Sequence, residues 1–384
     1  MSSQAKVDGS TAQLDTDMED QSPPTPPKRQ KASSFSNTNI SKILVFALVI
    51  FIGGGIGIAG EGPDNQGKAG KTPPPVCDST VQCGGEAYTG EVKLTEDLYC
   101  TQSASEDCAI ALDGEDAVLD CNQYMIDGDI KKGNGICILN GASAINCHVQ
   151  KFGIGIYVEN GGEVNDCEVM VMFNDRQGIS IANEASSTSK MKISNTYVHD
   201  NGVRIYSSGI YFVGSGASPE SSETSIEINN VKSNRNGGDG MRFYGGNVKL
   251  EVQVKDSETS NNGFDGITFT YAAADLEFDG IISRYNGNRG LTVSSFNAEG
   301  NVKVKGDVNL YKNRFEGIRA SGDVDIVVER RGALNSCGHI GTYNADILAN
   351  GADITFSGNG YTCDSTSPNL SDIITCDPCP NCPQ

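Results

Sequence analysis

Asp239 in NGGDG and Asp265 in NGFDG stand 26 residues apart in nearly identical phrases. If each phrase is one turn of a stacked fold, their carboxylates become neighbours, able to share Ca²⁺ or to push one pKa upward. Asp239 and Asp265 are therefore the candidate metal residues, with Ca²⁺ as the cofactor such a pair would admit. Arg242 lies two residues past the glycine at 240, and Arg319 has the same offset from Gly317. Tyr157 and Tyr211 share that offset from Gly155 and Gly209, and aromatic faces beside charges suit sugar rings. Tyr157, Tyr211, Arg242 and Arg319 form the candidate binding set. Asp200, in HDNG, together with Arg204 and Arg242, are the candidates for proton transfer, although an acidic neighbourhood opposes the lowered pKa an arginine base requires. The competing reading is an outward column, Gln177, Ser208, Asp239, Asp265, Arg289 and Glu316, forming a solvated ladder in which each charge pair contributes about 0 to 1 kcal/mol.

These residues need a repeating scaffold, and the sequence supplies one. NDRQGISI from Asn174, NGGDGMRF from Asn236, NNGFDGITF around Asn262, NGNRGLTV from Asn286 and NRFEGIRA from Asn313 all place Asn before a Gly-aliphatic step. The register glycines at 135, 155, 178, 209, 240, 266, 290 and 317 are 20 to 31 residues apart, a period typical of stacked coils with variable loops. After each glycine, pairs such as Ile179/Ile181, Met241/Phe243 and Ile267/Phe269 alternate with period two, so one strand face is buried. A second alternation, as in Val252/Val254 and Leu276/Phe278, gives each coil at least two strands. Stacking predicts an internal pile of Phe212, Phe243 and Phe269. The asparagines should tolerate left-handed turn geometry and hydrogen-bond from coil to coil.

With LDCNQYMIDG at residues 119 to 128, the pattern resembles the right-handed parallel β-helix family of pectate-lyase-like proteins over roughly residues 85 to 360. The resemblance implies an all-β, right-handed single-stranded parallel β-helix of about nine to ten coils. It does not imply one activity, since this scaffold carries lyases, epimerases, hydrolases, adhesins and nonenzymatic surface proteins. The histidine and aspartate motifs of polygalacturonases are missing, and CGHIG around His339 lacks their partners.

Five stretches follow: a disordered cytosolic tail (1–39), a signal anchor (40–60), a Gly/Pro linker (61–76), the β-helix (77–362) and a Cys-rich tail (363–384). Ile43 to Ala59 is uncharged, and Lys28, Arg29, Lys31 and Lys42 precede it, which predicts a cytosolic N-terminus and a lumenal or extracellular body. All 13 cysteines follow this segment, on the side where disulfides persist. Cys121, Cys147 and Cys167 should stack, either with two of them bridged or as three buried thiols. Cys376, Cys379 and Cys382 read as a staple, with Cys337 and Cys363 as partners. The net charge of -20 disfavours nucleic acid, which needs a basic surface. The leading functional reading is a membrane-anchored surface protein that is structural or binds polysaccharide, without evident catalysis. Its alternatives are a lyase or epimerase acting on acidic glycans, and an adhesion stalk.

Overall fold

The computed structural model describes residues 81–101, 108–128, 133–170, 176–183, 188–202, 207–214, 223–295, 300–329, 333–337, 347–350, 353–356 and 372–374. All belong to the compact unit Pro73–Gln384. Asn174, Arg204, His339, the segment Ile43 to Ala59 and the cysteines beyond Cys337 lie outside the described residues. Among the described residues no helix is long and apolar enough to cross a membrane.

The chain forms the expected right-handed parallel β-solenoid. Each coil contributes three strands, one more than the alternation reveals. The first wall runs from Cys108–Asp113 to Ile347–Asn350, the second from Glu91–Lys93 to Asp353–Phe356, and the third from Leu98–Cys100 to Ala333–Cys337. The third is a 10-stranded sheet; the other two are joined into one because Met241–Lys255 and Ile267–Asp279 run unbroken through both. Short strand Asp372–Ile374 pairs antiparallel with Ile347–Asn350.

The interior follows from period two. Ile156, Ile179, Ile210, Met241, Ile267, Leu291 and Ile318 stand in one register column of the first wall, and all but Leu291 at 3% are 0 to 1% exposed. The next inward column carries the phenylalanines. Phe212 is in register with Phe243, and Phe243 stacks on Phe269 with centroids 4.5 Å apart and planes 6° from parallel, while Phe278 meets Phe269 edge-on. The register glycine has a steric cause. A Cβ on Gly240 would lie 2.6 Å from the carbonyl oxygen of Gly266, and one on Gly266 would lie 2.7 Å from that of Gly290, closer than real Cβ contacts.

At the corner between the third and first walls, the asparagines form a buried ladder. The Nδ2 groups of Asn201, Asn236, Asn262 and Asn286 donate to Oδ1 of Asn236, Asn262, Asn286 and Asn313, at 2.8 to 3.0 Å. Each of those oxygens also accepts the backbone N–H of the preceding asparagine in the series. One expectation needs correction: these asparagines are not the left-handed residues. The residue before each takes that role, with φ between 52° and 56° at Arg235, Asn261, Tyr285 and Lys312. The ladder position is chosen for its amide rather than for backbone tolerance.

Cys121 is bridged to Cys147, and Cys167 remains a buried thiol that desolvation pushes up to about 12. Cys83–Cys100 and Cys108–Cys137 are bridged as well.

Candidate functional site

The strand register gathers the binding set. Tyr157, Ser180, Tyr211, Arg242, Thr268, Thr292 and Arg319 occupy one outward column of the first wall on consecutive coils. At roughly 4.8 Å per coil this makes a strip about 29 Å long. Tyr157, Tyr211 and Arg319 are half-buried, a state that leaves a side chain anchored yet accessible.

The adjoining column differs from expectation. Ser208, Asp239, Asp265, Arg289 and Glu316 are aligned by backbone bonds, with Gly209 N–H donating to Asp239 O, Gly240 N–H to Asp265 O, Gly266 N–H to Arg289 O and Gly290 N–H to Glu316 O. They do not face solvent, however: Ser208, Asp239, Asp265 and Glu316 are 1 to 5% exposed. Asp265 reaches the hydroxyls of Thr268 and Thr292 and Asp239 lies beside Arg242, so the position before the glycine sits against the outward column and is covered by its side chains. The expected column is present, but it is buried and not a solvated ladder.

Burial makes this corner electrostatically costly, and the fold meets part of that cost with hydrogen bonds. Asp265 Oδ1 accepts Arg289 N–H at 2.9 Å, while Oδ2 accepts the hydroxyls of Thr268 at 3.2 Å and Thr292 at 2.7 Å. Arg289 Nε donates to Glu316 Oε2 at 2.7 Å. Asp239 Oδ1 accepts Asp265 N–H at 3.0 Å, and Oδ2 lies 3.7 Å from Arg242 Nη1. Desolvation, with the negative charge of Asp265 adding to it, pushes the Asp239 carboxyl up to about 7. Two buried atoms here, Ser208 Oγ and Arg242 Nε, have no hydrogen-bond partner.

Calcium takes six to eight oxygen ligands. At this corner hydrogen bonds already occupy both oxygens of Asp265 and Oδ1 of Asp239, and no group of three or more His, Cys, Asp or Glu residues that could hold a metal occurs among the described residues. The donor set does not fit that ion.

Asp200 belongs to a different assembly. Arg235 grips it through Nε at 2.8 Å and Nη2 at 2.6 Å, and His199 Nδ1 lies 2.7 Å from its Oδ2. The Arg235 hydrogen bond and charge, with the His199 contact, hold its carboxyl down to about 2. The chain of contacts continues through Glu168, whose two oxygens meet His199 Nε2 at 2.8 Å and His148 Nδ1 at 3.0 Å. His148 Nε2 then reaches Gln123 Oε1 at 3.0 Å. This array joins successive coils of the third wall, and a shallow depression beside it is lined by Met125, His148, Gln150, Glu168 and Met170. Its partners are far apart in sequence and its strands, such as HVQ, EVM and YVH, have only three residues. The HDNG phrase marks His199 and Asp200, but only the coil register brings Glu168, His148 and Arg235 to them.

No protein-family profile matches the sequence, and no curated protein matches it. Among solved structures, the crystal structure of pectate lyase Pel9A is similar, with 10% sequence identity, a TM-score of 0.43, and 72% of each chain covered. The parallel coils and their register, described above, define the fold independently of that likeness.

Proposed function

We propose that the outward column of the first wall is a contact strip for a linear polysaccharide. Its support is the register that aligns Tyr157, Tyr211, Arg242 and Arg319 along the solenoid axis. Tyrosine offers an apolar face with a polar tip, and arginine adds planar hydrogen bonding. Individually weak contacts repeated along a polymer sum to useful affinity. The test is a glycan array with the full chain, followed by Tyr211→Ala on whichever polymer binds. Loss of binding without loss of melting temperature is the expected result; unchanged binding would remove the strip.

In this reading the body is held by the segment Ile43 to Ala59 and faces the lumen or exterior. The three disulfides support an oxidising compartment. In sealed vesicles the body should resist protease added from the cytosolic side, and its digestion would reverse the topology.

One observation favours the lyase or epimerase alternative: Asp239, with a pKa raised to about 7, sits beside Arg242. Its burial opposes direct contact with a sugar carbon, so binding without turnover is the proposed activity. Unsaturated products formed from polyuronate by the parent and lost in Asp239→Asn would establish the enzyme instead.

A further inference from the structure

The corner that carries the asparagine ladder inside also has an outer surface, and its last coils depart from the rest of this acidic chain. Between the buried asparagines and the first wall, backbone bonds align Phe264, Asn288 and Phe315 in one column: Asn288 N–H donates to Phe264 O, and Phe315 N–H to Asn288 O. On the other side of the ladder, Tyr285 N–H donates to Tyr311 O, bringing Tyr285 and Lys312 onto adjacent coils. Phe264 and Tyr285 are 37% and 43% exposed, two of the few large apolar side chains that face solvent.

Cations collect at the same place. Lys312 Nζ lies 5.6 Å from the Tyr285 ring centre, and the Arg314 guanidinium 5.5 Å from that of Phe315. Arg284 approaches both Tyr285 and Tyr311, but Glu258 neutralises it at 2.7 Å. Lys312 and Arg314 have no such carboxylate within 4.0 Å among the described residues. Asn313 between them is buried in the ladder, while Arg314 is exposed and Lys312 half-buried at the surface of the same corner.

We propose that this corner, formed by Phe264, Tyr285, Asn288, Lys312, Arg314 and Phe315, is a second docking surface, separate from the first-wall strip, for an extended glycan bearing carboxylate or sulfate groups. The two phenylalanines are two coils apart, roughly 9.6 Å, a spacing on the scale of an extended disaccharide. Alternating aromatic and amide contacts suit sugar faces and hydroxyls, and the two cations, of which Lys312 also reaches the Tyr285 hydroxyl at 3.4 Å, supply the counter-charge. Exposed cations steer and select charged partners even where each adds little affinity.

Binding of the full chain to heparin, polygalacturonate and neutral dextran tests this, with Lys312→Gln/Arg314→Gln as the principal variant, Phe264→Ala as the second, and Lys303→Gln on the second wall as control. The expected result is binding of at least one charged polymer in preference to dextran, weakened about tenfold or more in the double variant, also weakened in Phe264→Ala, and unchanged in the control. The proposal falls if the double variant binds like the parent, if Lys303→Gln loses as much, or if single-stranded RNA is preferred to both charged glycans. Tyr211→Ala in the same assay separates the two surfaces: if it binds normally while the double variant does not, the corner stands and the first-wall strip fails.

Discussion

A single amide in the ladder carries several obligations. Asn262 donates to Asn286 Oδ1 and Ser233 O, and its own Oδ1 accepts from the side chain and backbone of Asn236. Asn262→Ala leaves these buried partners unpaired and should cost about 1 to 3 kcal/mol by chemical denaturation. Asn301→Ala, at an exposed site, should cost much less. Asp239 provides a pH readout. Its carboxyl titrates at about 7 in the folded chain against 3.8 for the reference group, so between these values the folded state holds a proton that the unfolded chain has released. Its contribution is fully present below about 4 and is lost as pH rises through about 7. Asp239→Asn should therefore melt above the parent at pH 8, with the difference shrinking toward pH 5; a pH-independent difference would refute the assignment. The chemical type of these residues was legible in the sequence, as was the coil adjacency of Asp239 and Asp265. Their burial was not, because the rule that alternates faces along a strand says nothing about a corner.

The strands of the first wall were the most legible elements, since glycine followed by alternating aliphatics marks both their start and their inward face. The third wall was invisible at the same level. Its three-residue strands bury only one or two side chains each, such as Val149, Val169 and Val198, too few to display a period. The turn asparagines were assigned the wrong backbone role for a related reason: two polar residues precede each corner, and only their coil partners distinguish the left-handed one from the ladder member. The first-wall glycines give a sharp test of the stacking geometry. Gly266→Ala would place its Cβ 2.0 Å from Ser283 Oγ, 2.6 Å from Thr259 Oγ1 and 2.7 Å from Gly290 O. Serine and threonine hydroxyls can rotate away, but the backbone oxygen cannot without separating two coils. A clear fall in denaturant midpoint is expected, and an unchanged midpoint would mean that the coils are not this closely spaced.

For the whole molecule, the sequence disclosed the number of repeats better than it disclosed what differs between the ends. All three disulfides among the described residues lie between Cys83 and Cys147, with loop separations of 17, 29 and 26 residues. The coils around Phe243 and Phe269 rely instead on ring stacking and the ladder. Stability in a solenoid is a sum of local and nearest-neighbour terms, so these two regions should respond separately. Under a reductant, hydrogen exchange should accelerate first in the amides of residues 108–150 while those of 241–295 retain protection; simultaneous loss would indicate one cooperative unit. The ladder itself has an arrow. Every amide from Asn201 to Asn286 donates toward the next coil, so the small dipoles are aligned head to tail, with their positive ends directed toward Asn313. Neighbouring amides in such a row polarise one another. The coils are consequently units of a polar filament: a duplicated coil could be spliced in only with its own asparagine and in the same sense, and turning any one amide around would set two donors, and two acceptors, face to face.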